Sequence, residues 1–238
     1  MKLMKKLTVL SGLMAISMAS ASAETLRVGL QDDPDTMDPA TGGTYSGRIV
    51  FDALCDKLLD INAKLEIVPQ LATEWSWNDS NTELTLKLRE GVTFHDGKPF
   101  DAEAVKANVE RMQTLKESKR RSELSPIKEV EVVDSSTVVL KLETPFAPLL
   151  SVLTDRAGMM VSPSAGTSTD EFAANPVCSG PYQFESRSAR DKISLKKYPG
   201  YWNADKIGYD AIEYQIIPDS TVRLSRIQAG DLDVAERI

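Results

Sequence analysis

The chain has 238 residues, 28 of them Lys or Arg and 35 Asp or Glu, for a formal charge of −7. That length holds one large domain or two small ones, and the acidic balance disfavours nucleic acid and anionic membrane as partners. Two cysteines and one histidine are too few side chains for a soft-ligand metal site, so neither a metal nor a cofactor is expected.

The first residues have the order of a secretory signal. Lys2, Lys5 and Lys6 give a basic start, and residues 7–18 are apolar but too short to span a bilayer. Ala21-Ser22-Ala23 is a small-x-small cleavage site, so the mature chain is expected to begin at Glu24. No cysteine stands at that point, and no membrane anchor is expected. A leader over 1–23 implies an oxidising compartment, where the even pair Cys55 and Cys178 is a disulfide candidate. A loop of that length is worth about 4–5 kcal/mol in chain entropy. The alternative is a pair of buried free thiols.

Residues 25–30 (TLRVGL) alternate and read as the first strand. Residues 32–39 (DDPDTMDP) form a turn-rich exit loop. Over 46–60, apolar residues recur at helical spacing, at Ile49, Val50, Ala53, Leu54 and Leu58. The stretch 67–72 then packs toward Trp75. Residues 82–88 place Leu84, Leu86 and Leu88 on one face of a half-buried strand. Gly91 and the Asp96-Gly97 pair mark tight turns. Asp101 is a good N-cap for a helix from 102 to about 115, with Val105, Val109 and Met112 on one side. The basic run 116–121 (KESKRR) reads as a solvated helix end.

Residues 127–133 and 137–142 read as antiparallel strands joined at 134–136, with a short helix over 145–153 packed on them. Residues 180–184 open a strand that pairs with 193–197. Strand, helix and strand follow at 211–217, 219–229 and 233 onward, a βαβ unit. Gly230 fits a helix-ending position. The stop at Ile238 falls inside that unit, so a fragment or a truncated gene product is expected.

Short motifs punctuate these elements. They are Met37-Asp38-Pro39, Phe51-Asp52-Ala53-Leu54 and an L-A-x-x-W at 71–75. The pattern L-R-x-G-V-x-F-H-D-G-x-P-F-x-A-x-x-V fills 88–105. Pro176-Val177-Cys178-Ser179-Gly180-Pro181-Tyr182 comes next, then a Y-W-N at 201–203, and Ile216-Ile217-Pro218-Asp219 before a helix ending in Q-A-G-D-L-D. In this order they resemble the signature of the family 5 extracellular solute-binding proteins, the peptide, opine and nickel-chelate receptors of bacterial ABC importers.

The resemblance implies an α/β fold of the periplasmic binding protein type II kind. Its first lobe would combine a main part, 24–45 and 176–238, with an inserted smaller α+β subdomain, 46–175, and the second lobe would be missing. A Cys55–Cys178 bridge would tie the subdomain to the loop leading back to the main sheet. The implied function is capture of a peptide, opine or similar small polar solute in the periplasm, by a monomer that delivers it to the transmembrane subunits of an ABC permease. Family clefts are lined at positions that fall here on Thr44, Tyr45, Ser46 and Arg156, with the loop at Ser179 and Gly180 as a further ligand-binding candidate.

Tyr45 is suited to stack on a ligand, the plainer reading being a surface aromatic. Arg156 is suited to hold a carboxylate, the plainer reading being a structural ion pair with Asp155 or a neighbour. A second function class is a truncated, non-transporting lobe or binding adaptor with no closed cleft. An enzyme is not expected, since no G-x-S-x-G elbow or Cys/His pair is evident and His95 sits in a turn without a partner nucleophile. Trp75, Trp77 and Trp202 read as packing residues.

Overall fold

The computed structural model describes residues 24–166 and 169–238, so the expected leader 1–23 lies outside the described residues. The chain begins with β1 (Thr25–Leu30), α1 (Tyr45–Leu54), β2 (Leu59–Ile61), β3 (Ile67–Pro69), β4 (Ala72–Trp77) and β5 (Glu83–Leu88). Next come α2 (Ala102–Thr114), α3 (Arg121–Leu124), β6 (Ile127–Asp134), β7 (Thr137–Leu142), α4 (Leu149–Val152) and α5 (Thr169–Ala174). The last elements are β8 (Tyr182–Ser188), β9 (Lys192–Lys197), β10 (Ala211–Ile216), α6 (Ser220–Ala229) and β11 (Val234–Ala235).

Two larger sheets result, a five-stranded one ordered β11-β1-β10-β9-β8 and a four-stranded one ordered β4-β5-β7-β6. β1 pairs in parallel with both β10 and β11. The terminal strand–helix–strand unit is therefore present, with β1 lying between its two strands. β9 pairs antiparallel with β10 and β8.

Local patterning accounts for much of this. β5 buries Leu84, Leu86 and Leu88 on one face, each worth about 1.5–3 kcal/mol as a buried side chain. α2 begins where the Asp101 carboxylate accepts the Ala104 N–H at 2.9 Å, and it buries Val105, Val109 and Met112 against the four-stranded sheet. Gly230 ends α6 in the left-handed region, at φ 78°.

Two expectations are corrected. α1 stops at Leu54 rather than running to 60, because Cys55 is extended and the N–H groups of Leu58 and Leu59 donate to the carbonyls of Gly158 and Leu153. Tertiary hydrogen bonds have taken the place of the next helical turn. The helix expected over 145–153 is the single turn α4, preceded by Pro145 and Pro148, which have no N–H to give. α1 itself, expected with the smaller subdomain, packs Val50, Phe51 and Leu54 with Leu30, Ile193 and Tyr214 on the five-stranded sheet. The chain crosses between the two cores after α1, and Leu58 already belongs to the four-stranded core.

The crossing is heavily tied. Cys55 and Cys178 form a disulfide, replacing the open alternative of free thiols. The Cys178 N–H donates to His95 Nδ1 at 3.3 Å, which assigns the ring proton to Nε2, where it donates to the Gly180 carbonyl at 3.0 Å. The strap after β9 reaches the other core, where the Tyr198 hydroxyl donates to the Phe94 carbonyl at 2.9 Å and Trp202 packs against the four-stranded core.

Burial pushes His95 down to about 4 and Asp56 up to about 7. The unfolded chain therefore binds a proton at His95 between about pH 4 and 6.5 that the fold does not, and this contribution to stability is lost as pH falls. For Asp56 the fold holds a proton between about pH 4 and 7 that the unfolded chain releases, so its contribution is lost as pH rises through 7.

Candidate functional site

The N-terminus of α1 is built by a single carboxylate. Asp35 accepts the Gly43 N–H at 3.0 Å and the Thr44 hydroxyl at 3.3 Å, and Lys119 pairs with it at 2.9 Å. Thr44 is thereby set as N-cap, its Oγ1 accepting the Gly47 N–H at 3.1 Å. Tyr45, the first helical residue, is 52% exposed, with the Arg237 guanidinium 5.2 Å from its ring centroid. Ser46 faces inward and donates to Glu236 Oε2 at 2.9 Å.

Beside this turn three guanidinium groups converge. Arg156 Nη1 and Arg120 Nη2 donate to the same Gly42 carbonyl, at 3.1 and 3.4 Å. Arg48, on α1, pairs with Asp155, and Arg120 pairs with Glu123 at 2.6 Å. Arg156 meets Asp155 only loosely, at 3.7 Å. Three cations thus share two carboxylates. The Nε–H groups of Arg48, Arg120 and Arg156 are each buried with no acceptor. Burial, followed by the charges of Arg120 and Arg48, holds the Arg156 pKa below its ordinary value, although a guanidinium remains charged at neutral pH.

Arg156 therefore stands in a basic group that the sequence did not single out. Arg120 lies in the run expected to be a solvated helix end, yet its side chain is 7% exposed. Thr44, Tyr45 and Ser46 share the first turn of α1, where Tyr45 is exposed, Thr44 half-buried and Ser46 buried. Ser179 and Gly180 lie elsewhere, at the crossing between the cores. The Ser179 side chain is fully buried with its hydroxyl donating to the Met160 carbonyl at 3.3 Å, and the Gly180 N–H donates to the Leu54 carbonyl at 3.0 Å.

A Cβ at Gly180 would stand 2.6 Å from the Leu54 carbonyl group, whereas one at Gly208 would meet nothing within 4 Å. Gly180→Ala is therefore expected to lower the unfolding free energy by about 1–3 kcal/mol, and Gly208→Ala to leave it nearly unchanged. Urea denaturation of the two variants checks this. Equal midpoints would mean that the crossing yields without strain.

The start of α1 thus carries a largely buried basic group, of the chemistry that pairs with anions. Among the described residues no three or more His, Cys, Asp or Glu side chains gather as a metal set, and no helix is long and apolar enough to cross a membrane. The family model described as bacterial extracellular solute-binding proteins, family 5 Middle, matches residues 66–238, more than half of the sequence. The chain belongs to this family.

The glutathione-binding protein GsiB of Escherichia coli K12 is 29% identical, over 94% of this chain and 46% of its own length. Among solved structures, the binding protein AgaA from A. tumefaciens R10, in complex with agropinic acid, superposes with a TM-score of 0.82 and 30% identity, over 88% of this chain and 43% of that one. The Escherichia coli murein tripeptide binding protein MppA shares the fold, with a TM-score of 0.83 at 24% identity over 91% and 46% of the two chains. The chain spans about half the length of the curated relatives it matches. The expected α/β fold of type II periplasmic binding proteins is the one present. Within this family-5 chain, the matched range includes Arg120 and Arg156, while Arg48 and the α1 turn lie before it.

Proposed function

We propose that this chain supplies the first lobe of a non-catalytic periplasmic receptor. The receptor captures a small polar solute bearing a carboxylate, of the peptide or opine kind, and passes it as a monomer to the transmembrane subunits of an ABC permease. The observation that carries this reading is the convergence of Arg48, Arg120 and Arg156 on two counter-charges, with three Nε–H groups unspent. A solute carboxylate would balance the third cation and take bidentate hydrogen bonds from a guanidinium. Tyr45, exposed at the helix start, offers an aromatic face beside it, and Thr44 and Ser46 hold that turn in place. The ligands of two relatives, glutathione for GsiB and agropinic acid for AgaA, suit this reading.

The division into a main part and an inserted subdomain belongs to the same proposal, with the first joint moved from Ser46 to the end of α1. Ser179 and Gly180 are assigned to that joint and not to the ligand. Calorimetric titration of glutathione and agropinic acid into residues 24–238 tests the site. At least one is expected to saturate, and Arg156→Ala and Arg120→Ala each to weaken it tenfold or more, about 1.4 kcal/mol. Undiminished binding by both variants would overturn the assignment.

A further inference from the structure

Asp56 stands where the chain crosses from one core to the other, and it is 1% exposed. Its Oδ1 accepts from Gln70 Nε2 at 3.1 Å and from the Tyr201 hydroxyl at 3.2 Å, and its Oδ2 accepts from Trp202 Nε1 at 2.7 Å. Its own carbonyl accepts the Met160 N–H at 3.0 Å. One carboxylate thus gathers the β3–β4 junction and the strap that follows β9.

All three side-chain partners act as donors. An ionised carboxylate accepts from all of them. A neutral carboxyl has a proton to place, and indole Nε1 cannot take it. The Gln70 oxygen is already used by the Lys57 N–H at 2.7 Å. Only the Tyr201 hydroxyl is left to turn from donor to acceptor. The Trp202 bond meanwhile loses its charge assistance, roughly half its strength.

We propose that Asp56 is a proton-operated catch between the two cores: ionised, it grips Gln70, Tyr201 and Trp202 together, and protonated, it turns Tyr201 and loosens the Trp202 strap. The charges facing it are mixed. Lys57 favours the ionised form but is itself held by Asp52 and Asp60, at 3.2 and 2.9 Å. Asp60, on β2, opposes ionisation. Arg89, just after β5, lies 3.8 Å over the Trp202 ring and donates from Nε to the Gln70 carbonyl at 3.1 Å. Burial together with the Asp56 charge keeps the Tyr201 hydroxyl protonated. With Asp56 near 7 the change falls in the neutral range, where His95, near 4, is silent.

The arginine group spans the same crossing. Arg48 rides on α1 of the five-stranded core, while Arg120 and Arg156 flank elements of the four-stranded one. Loosening the catch shifts their spacing, and with it carboxylate affinity. This consequence rests on the proposed ligand site, whereas the catch itself does not.

The test is a pH titration of residues 24–238 by NMR between pH 5.5 and 8.5, reading the indole N–H resonances and the Asp carboxyl carbons. Trp202 is identified by the resonance lost in Trp202→Phe. Its indole proton is expected to move upfield as pH falls, with one midpoint near 7 shared by the Asp56 carboxyl carbon, while Trp75 and Trp77 stay still. Asp56→Asn should abolish the movement; if that variant does not fold, the two wild-type titrations decide alone. A flat Trp202 resonance, or an Asp56 carbon that titrates without it, overturns the catch. Glutathione titrated at pH 6 and 8 separates the two proposals. A titrating catch with pH-independent affinity would sink the link to the arginine site and leave the catch standing.

Discussion

Replacing both Cys55 and Cys178 by Ala is expected to cost about 4–5 kcal/mol of unfolding free energy, the largest single effect of any change described for this chain. The bridge closes a sequence separation of 123 residues, and in the chain-entropy model a loop of that order restricts the unfolded ensemble by about this amount. Both cysteines are fully buried, so the native fold shields the bond from reductant and the loss should develop only as molecules open. At roughly 2–4 °C per kcal/mol for a chain of this size, Tm should fall by about 8–20 °C. Thermal melts of residues 24–238 and of the double variant measure this directly. A fall of only a few degrees would show that the polar ties at the crossing hold the two cores together without the covalent one.

What the sequence made legible was what short-range chemistry decides. β1, β5 and α2 follow from alternation, helical spacing and the Asp101 cap, and each lies where the pattern puts it. β4 was not recognised as a strand, because a bulge between Ala72 and Glu74 breaks its register with β5. The end of α1 was misplaced because its competitors, the carbonyls of Leu153 and Gly158, lie about a hundred residues further on.

The candidate site divides in the same way. Thr44, Tyr45 and Ser46 occur together because one helical turn carries them. Arg120 looked like its basic neighbours, and only the Gly42 carbonyl, 78 residues away, marks it as different. Ser179 and Gly180 sit in a sequence motif, while the carbonyls they bond, those of Met160 and Leu54, are 19 and 126 residues away. The buried Asp56 left no local trace, since the donors that define it are at 70, 201 and 202.

Arg111→Met should destabilise the chain by about 3–5 kcal/mol, the usual result when one member of a buried ion pair is removed. Asp38 is fully buried, and Arg111, from α2, grips it with both terminal nitrogens, at 2.6 and 3.2 Å. Asp38 Oδ1 also accepts the Ala40 N–H at 2.9 Å, and Arg111 Nε donates to the Gly166 carbonyl at 2.9 Å. The pair therefore joins the turn after β1 to the helix of the other core. Without Arg111 the carboxylate is left charged in a dry setting without its partner. Urea denaturation of the variant and the wild type measures the deficit. Adding Asp38→Asn should recover part of it, through a coupling energy of the size seen for contacting residues, about 0.5–3 kcal/mol. A deficit untouched by the second change would assign the cost to lost packing of the Arg111 stem against Phe172, whose ring lies 5.3 Å from the guanidinium, and not to a stranded charge.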